Sequence, residues 1–133
     1  LDDNSLDFSF SGVKTAVLNH CNQQSQKGNS LCVEDICASF QEAVVDVLVE
    51  KTIAAAKQNS IDTVVIGGGV SSNVRLRELF SERCKSEGVL FYAPRPIYCT
   101  DNAAMIAFAG LHAYNHSGPI SLDADVYSRS KLG

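Results

Sequence analysis

Two parts of this chain are candidates for a functional site. The first contains three consecutive glycines at positions 67–69 and an asparagine at position 73. The apolar residues 64–66 before them are typical of a strand buried on both faces. Glycine then lets the backbone turn at once, with positive φ at no steric cost. Such a turn, leading into a helix N-terminus, aims backbone N–H groups at one spot, where an anion binds well. The stretch predicts a phosphate or nucleotide site, and a tight strand-to-helix turn without a ligand is about equally compatible with it.

The second candidate is Asp101, which follows the rigid stretch Ala-Pro-Arg-Pro at residues 93–96. Its carboxylate is a hard oxygen ligand, suited to a divalent cation or to orienting a nucleophile. Thr100 is predicted to be the N-cap of a helix over 103–114, so that Asp101 would lie in the first turn, where the helix dipole favours a carboxylate. An aspartate in this position more often supports a helix start than binds a ligand. An asparagine such as Asn73 likewise more often makes a capping contact.

Helices and strands must bring the glycine stretch and Asp101 together. Apolar residues recur at helical spacing over 35–58 and predict a helix that buries Phe40, Val44 and Leu48 in the core or against a partner. Ser71 or Ser72 is predicted to cap a second helix, which Gly88 ends.

A strand at 64–66 and another at 89–92 alternate with these helices, which predicts a parallel pair within an α/β sheet. Residues 67–73 and 94–102 then both follow the carboxyl ends of parallel strands. Ligands of open α/β sheets bind at that edge.

Two strands are too few for a stable sheet of this kind. We therefore expect the sheet to continue in chain that is absent here, or residues 1–12, with alternating Phe8 and Phe10, to supply an edge strand. A short helix is predicted over 13–19, a polar surface loop over 22–30, and an irregular stretch with a basic tail over 118–133. Because the chain begins at Leu1 and not at methionine, we interpret it as a processed product or as a piece of something longer.

Composition narrows the class of protein. A net charge of −4 argues against broad electrostatic binding of nucleic acid by this piece alone. The five cysteines are odd in number and lack a Cys-x-x-Cys pair, which is typical of a reduced, cytoplasmic protein. The chain has no apolar run of about 18 residues, so no membrane span is predicted.

Four segments together resemble one known family. They are FSFSGVKTA at 8–16, ASFQEAVVDVL at 38–48, IGGGVSSN at 66–73 and CTDNAAMIAFAG at 99–110. In order and without large gaps, they resemble the C-terminal part of the tRNA N6-adenosine threonylcarbamoyltransferase family, also known as the O-sialoglycoprotein endopeptidase or glycoprotease family. The resemblance implies a two-domain, actin-like fold of the ribonuclease H-like, sugar-kinase and heat-shock ATPase type. Residues 1–133 would be the C-terminal segment of its second domain, and the N-terminal domain would be absent.

The resemblance also implies a reaction, the transfer of a threonylcarbamoyl group from threonylcarbamoyl-adenylate to N6 of an adenosine next to the anticodon of tRNA. By the same resemblance, Gly67, Gly68 and Gly69 lie in the nucleotide-binding loop, and Asn73 matches the asparagine that binds the adenylate. Asp101 matches a metal-binding aspartate, and the metal is a divalent ion with iron as first candidate. The implied partners are tRNA, the other subunits of the threonylcarbamoyladenosine biosynthesis complex and, in one arrangement, a second copy of the enzyme. No catalytic residue is assigned.

One departure from the family pattern limits what this piece can do. The family's other metal ligands are two histidines of an H-x-x-x-H motif in the N-terminal domain. His112 and His116 have that spacing, but they follow the helix predicted from residue 103, and we interpret them as solvent-facing. A lone Asp101 would hold a metal poorly, so the piece alone is expected to be inactive.

Two other functions stay open at this point. One is an actin-like small-molecule kinase that uses residues 66–73 for ATP. The other is a non-enzymatic interaction module whose helix over 35–58 packs on a partner.

Overall fold

The computed structural model describes residues 5–123 and residue 125 of the chain. In chain order its main elements are α1 (Ser11–Gln26), α2 (Val33–Gln58), β1 (Thr63–Val65), α3 (Val74–Glu87), β2 (Leu90–Tyr92) and α4 (Ala103–Ser117). Short 3-10 turns cover Gly69–Ser72 and Pro96–Tyr98. The two strands pair in parallel, with Thr63 opposite Leu90. The predicted helix-rich α/β fold with a short parallel sheet is confirmed, while the predicted basic tail lies outside the described residues.

The core lies between α2, α3 and the sheet. Its buried side chains are Val45, Val49, Ile53 and Ala56 from α2, Leu76, Phe80 and Cys84 from α3, and Val64 from β1. Spacings of three and four residues put each helix's members on one face. The Phe80 ring stacks on Phe91 of β2, with 5.4 Å between the ring centroids.

Three ion pairs cross the seam between α2 and α3. Their members are Glu42 and Arg75, Glu50 and Arg83, and Lys57 and Glu87. Positions rise together along both helices, so α2 and α3 run in the same direction. Exposed pairs of this kind stabilise a fold by only about 0–1 kcal/mol each. Their main consequence here is the register of the two helices, which places the start of α3 beside the middle of α2.

The prediction that Phe40 lies in the core is wrong. Its side chain is 42% exposed, whereas Val49 is fully buried. Val44 and Leu48 are half-buried. The helix is apolar on several faces, so its periodicity does not reveal which face α3 covers. Packing of Phe40 against a partner stays a prediction.

The N-terminal part also differs from expectation. Residues 5–10 form no strand, and Phe8 stacks on Phe10 with 6.2 Å between ring centroids. The first helix is longer than predicted, because α1 continues through the polar residues 22–26. Glutamine is a good helix former, so a polar run on an exposed helix is no signal for a loop. The chain turns at Gly28, where φ is 70°.

The last helix, α4, is rich in apolar residues but buries none of them. Its exposed members are Met105, Ile106, Phe108, Leu111 and Tyr114. Exposed apolar area of this extent is typical of a surface that packs against other protein. None of the helices within residues 5–123 combines the length and apolar character needed to cross a membrane.

The position of the core predicts the stability of two phenylalanine variants. Phe80→Ala should lower the free energy of unfolding by about 3–5 kcal/mol, because it empties a buried site against α2 and β2. Phe40→Ala should lower it by about 1 kcal/mol or less, as expected away from the core. Urea unfolding of both variants measures the difference. Equal losses would contradict the core described above.

Candidate functional site

The glycine loop, residues 67–73, leaves β1 just after the last bond of the sheet, in which Ile66 N–H donates to Tyr92 O at 3.1 Å. Gly68 has φ 86° and ψ 170°, a region that is essentially restricted to glycine. A Cβ at Gly68 would meet nothing within 4 Å, so the backbone conformation and not lack of space requires the glycine. The Ser71 hydroxyl, which is buried, donates to Gly68 O at 2.6 Å and closes the loop.

The backbone N–H groups of Gly67, Gly68 and Gly69 remain available to a ligand. They donate none of the turn and loop hydrogen bonds found within residues 5–123. Successive N–H groups in a turn form a concave site for an anion. The loop geometry is therefore compatible with a phosphate, as the sequence predicted.

The cap of α3 is Asn73 and not the predicted Ser71 or Ser72. Asn73 Oδ1 accepts from Leu76 N–H at 2.9 Å, and Asn73 Nδ2 donates to Gln41 Oε1 at 2.8 Å. The serines lie in the Gly69–Ser72 turn, which separates the glycines from α3. The capping contact considered for Asn73 is thus present. Its adenylate contact stays a prediction, for which Nδ2 has a second N–H besides the one that donates to Gln41.

The aspartate loop, residues 94–102, leads from β2 into α4. Asn102 Oδ1 accepts from Met105 N–H at 2.9 Å, so Asn102 and not the predicted Thr100 caps the helix. Asp101 accordingly lies before the cap and outside the first turn. Its exposed carboxylate forms no ion pair or hydrogen bond with any residue that the structure describes. Helix capping therefore does not account for Asp101.

The two loops meet, as the parallel topology predicted. Gly68 and Gly69 line one cleft of about 320 Å³ together with Tyr98, Cys99, Thr100, Asp101 and Met105. A Cβ added to Gly69 would lie 3.9 Å from Thr100 Cγ2, which is ordinary contact distance. Asn73 does not line this cleft. It borders a separate groove beside Phe40 and Leu48.

Sequence reasoning missed Arg77 and Cys99. The guanidinium of Arg77, on the first turns of α3, contacts residues of both loops, including the buried Cys99. The nearby Ser71 side chain holds the pKa of the Cys99 thiol below its usual value, against the opposing effect of burial and with smaller lowering contributions from Ser72 and Arg77. Nothing in the sequence pattern distinguishes Arg77 from the neighbouring Arg75, because the difference lies in the face of α3 that each occupies.

The described residues of this cleft offer only part of the ligand set that a divalent metal needs. Within the described residues, no three or more histidine, cysteine, aspartate or glutamate side chains are grouped to hold a metal ion. His112 and His116 are exposed on α4. Asp101 offers one hard oxygen at the cleft, which suits one ligand position of a divalent cation.

Comparison with known proteins decides the family. A sequence profile described as tRNA N6-adenosine threonylcarbamoyltransferase matches residues 2–108. The chain belongs to this transferase family. The resemblance stated from the sequence is confirmed, and with it the actin-like, ribonuclease H-like fold class.

Curated relatives carry the same description. The relative from Desulfotalea psychrophila is 58% identical over 136 residues, which cover 100% of this chain and 40% of the relative. The relative from Desulfitobacterium hafniense is 53% identical, and the match covers 86% of this chain and 33% of the relative. The relative from Clostridium botulinum is 45% identical, and the match covers 98% of this chain and 38% of the relative. The chain thus spans at most 40% of the length of these relatives.

Proposed function

We propose that this chain is the C-terminal segment of the second domain of a tRNA threonylcarbamoyltransferase. The enzyme would move the threonylcarbamoyl group from threonylcarbamoyl-adenylate to N6 of an adenosine next to the anticodon. The observation that carries the proposal is the shared cleft of the glycine loop and Asp101, in a chain that belongs to the transferase family. The two-stranded sheet and the uncovered apolar α4 support a place within a larger fold.

The proposed chemistry divides between the two loops. In the transfer, a bond forms between N6 and the carbamoyl carbon, the bond from that carbon to the phosphate oxygen breaks, AMP leaves, and N6 releases one proton to water. The N–H groups of Gly67, Gly68 and Gly69 would bind the phosphate of the adenylate and stabilise the charge that grows there. Asn73 would contact the nucleotide through the N–H of Nδ2 that does not donate to Gln41.

Asp101 would supply one ligand to a divalent metal, with iron as first candidate. Such a metal, when bound, polarises a carbonyl group and makes it easier for an amine to attack. The exposed carboxylate of Asp101, which no described residue engages, supports this role. The remaining ligands would belong to the N-terminal domain of the enzyme.

The proposed partners follow from the reaction and from charge. The substrate partner is tRNA, and a net charge of −4 on this chain implies that most of the basic surface for tRNA lies elsewhere in the enzyme. We also propose association with the other subunits that make threonylcarbamoyladenosine, a homodimer as one assembly, and a cytoplasmic location.

A chimera tests the proposed function. In it, the part of the Desulfotalea psychrophila relative that matches this chain is replaced by this chain, a conservative exchange at 58% identity. We expect the chimera to convert tRNA adenosine to threonylcarbamoyladenosine when supplied with threonylcarbamoyl-adenylate, as measured by mass spectrometry of digested tRNA.

The unaltered relative serves as the positive control, and thermal unfolding shows whether the chimera folds. A folded chimera that leaves tRNA unmodified would contradict the proposal. Phosphate transfer from ATP to a small molecule without tRNA modification would favour the kinase alternative.

A further inference from the structure

One guanidinium holds the glycine loop and the aspartate loop together. Arg77 Nε donates to Ser71 O in the glycine loop. Its Nη2 donates to Pro94 O, at the start of the aspartate loop, at 2.7 Å, and lies 3.1 Å from Cys99 Sγ further along that loop. One side chain therefore contacts two separate points of the aspartate loop and one point of the glycine loop.

These contacts hold the part of the aspartate loop that comes just before Asp101. Pro94 and Cys99 flank the short turn Pro96–Tyr98, so that both ends of this turn are held by Arg77. Asp101 follows Cys99 by only two residues, and its carboxylate forms no hydrogen bond or ion pair with the described residues. Its place in the cleft depends on the anchored turn before it and on Asn102 after it, whose Nδ2 donates to Thr100 O at 2.8 Å.

Arginine is suited to this task for a physical reason. Its planar guanidinium presents several N–H donors in a fixed fork, so two or three acceptors are held in one geometry. A lysine carries the same charge as a single flexible point and cannot reproduce the fork. Arg77 is half-buried, where hydrogen bonds from a charged donor are stronger than in water.

We propose that Arg77 is a positioning residue, which holds the carboxylate of Asp101 at its working distance from the N–H groups of the glycine loop. The inference rests on the proposed function for its catalytic consequence, but its structural part stands on the contacts alone. Arg77 itself touches no reacting atom in this assignment.

The structural part is tested by hydrogen exchange on the chain itself. The reporters are the amides of Tyr98 and Cys99, which donate to Arg95 O and Pro96 O in the anchored turn. In Arg77→Met, which keeps the apolar stem, their exchange should rise about tenfold, the effect expected for loss of hydrogen bonds from a charged donor. Arg77→Lys should give a smaller rise.

Arg75→Met is the matched control. Arg75 is half-buried on the same helix two residues earlier, but its guanidinium bonds to Glu42 on α2, with Nε 2.9 Å from Glu42 Oε2. We expect no change in the Tyr98 and Cys99 amides of this variant. Amides in the middle of α3 report on global stability in all three variants. If amide exchange in Arg77→Met rose equally in α3 and in the turn, or did not rise in the turn, the proposal would be overturned.

The catalytic part is tested by the same substitutions in the chimera. Because a misplacement of about 1 Å can cost about 100-fold, Arg77→Met should lower kcat/KM for tRNA modification by up to that factor. Arg77→Lys should recover part of the loss, and Arg75→Met should retain full activity. Unchanged kcat/KM in Arg77→Met would overturn the positioning role. An inactive chimera with the unaltered segment would instead overturn the proposed function, while the exchange result decides the structural part independently.

Discussion

Asp101→Asn is expected to remove the bound metal and tRNA modification from the chimera, with little change in its melting temperature. The substitution keeps the shape of the side chain but removes the charge that would hold a divalent cation. Loss of a partner that merely orients a metal ligand costs up to about 100-fold in affinity or activity, so loss of a ligand should cost more. Metal content by elemental analysis and modified tRNA by mass spectrometry measure the two effects.

The structure makes this test sharper, because the helix cap and the proposed metal ligand are different residues. Asn102 caps α4 through its bond from Met105 N–H, and Asp101 takes no part in it. Asn102→Ala should therefore lower the free energy of unfolding by about 0.5–2 kcal/mol. If Asp101→Asn kept both metal and activity, Asp101 would not be a ligand.

Gly68→Ala is expected to abolish the stabilisation of the chimera by AMP, the leaving group of the proposed reaction. An alanine at φ 86° and ψ 170° is strained by about 1–3 kcal/mol, so we expect the loop to change its conformation and its N–H groups to turn away. Nucleotide at 100 times its Kd stabilises a folded protein by about 2.7 kcal/mol, and this contribution should vanish. Thermal unfolding with and without AMP measures it.

Gly88→Ala provides the matched control for strain. Gly88 has φ 70° at the C-terminal end of α3, and it lines no part of the cleft between the two loops. This variant should lose stability but should keep the full shift caused by AMP. A Gly68→Ala variant that kept the same shift would show that the glycine loop does not bind the nucleotide.

Local signals in the sequence determined the elements of this protein and their order. Apolar residues at helical spacing marked α2, and short apolar runs bounded by glycine marked β1 and β2. A helix end in the left-handed region needs a residue without a Cβ, so Gly88 could be assigned from its type and place alone. Alternation of strands and helices then implied the parallel pair, and that pairing brought Gly68 and Gly69 to Asp101.

Only the tertiary structure decided which of several similar residues makes each contact. Val49 and not Phe40 is buried, because α3 covers one of several apolar faces of α2. Asn73 and Asn102 cap their helices in place of nearby serine and threonine, because the 3-10 turn and the aspartate loop set where each helix begins. Arg77 reaches Pro94 and Cys99, respectively 17 and 22 residues away, only because β2 pairs beside β1 and returns the chain to the start of α3. Contacts over such separations depend on packing, for which the sequence carries no local signal.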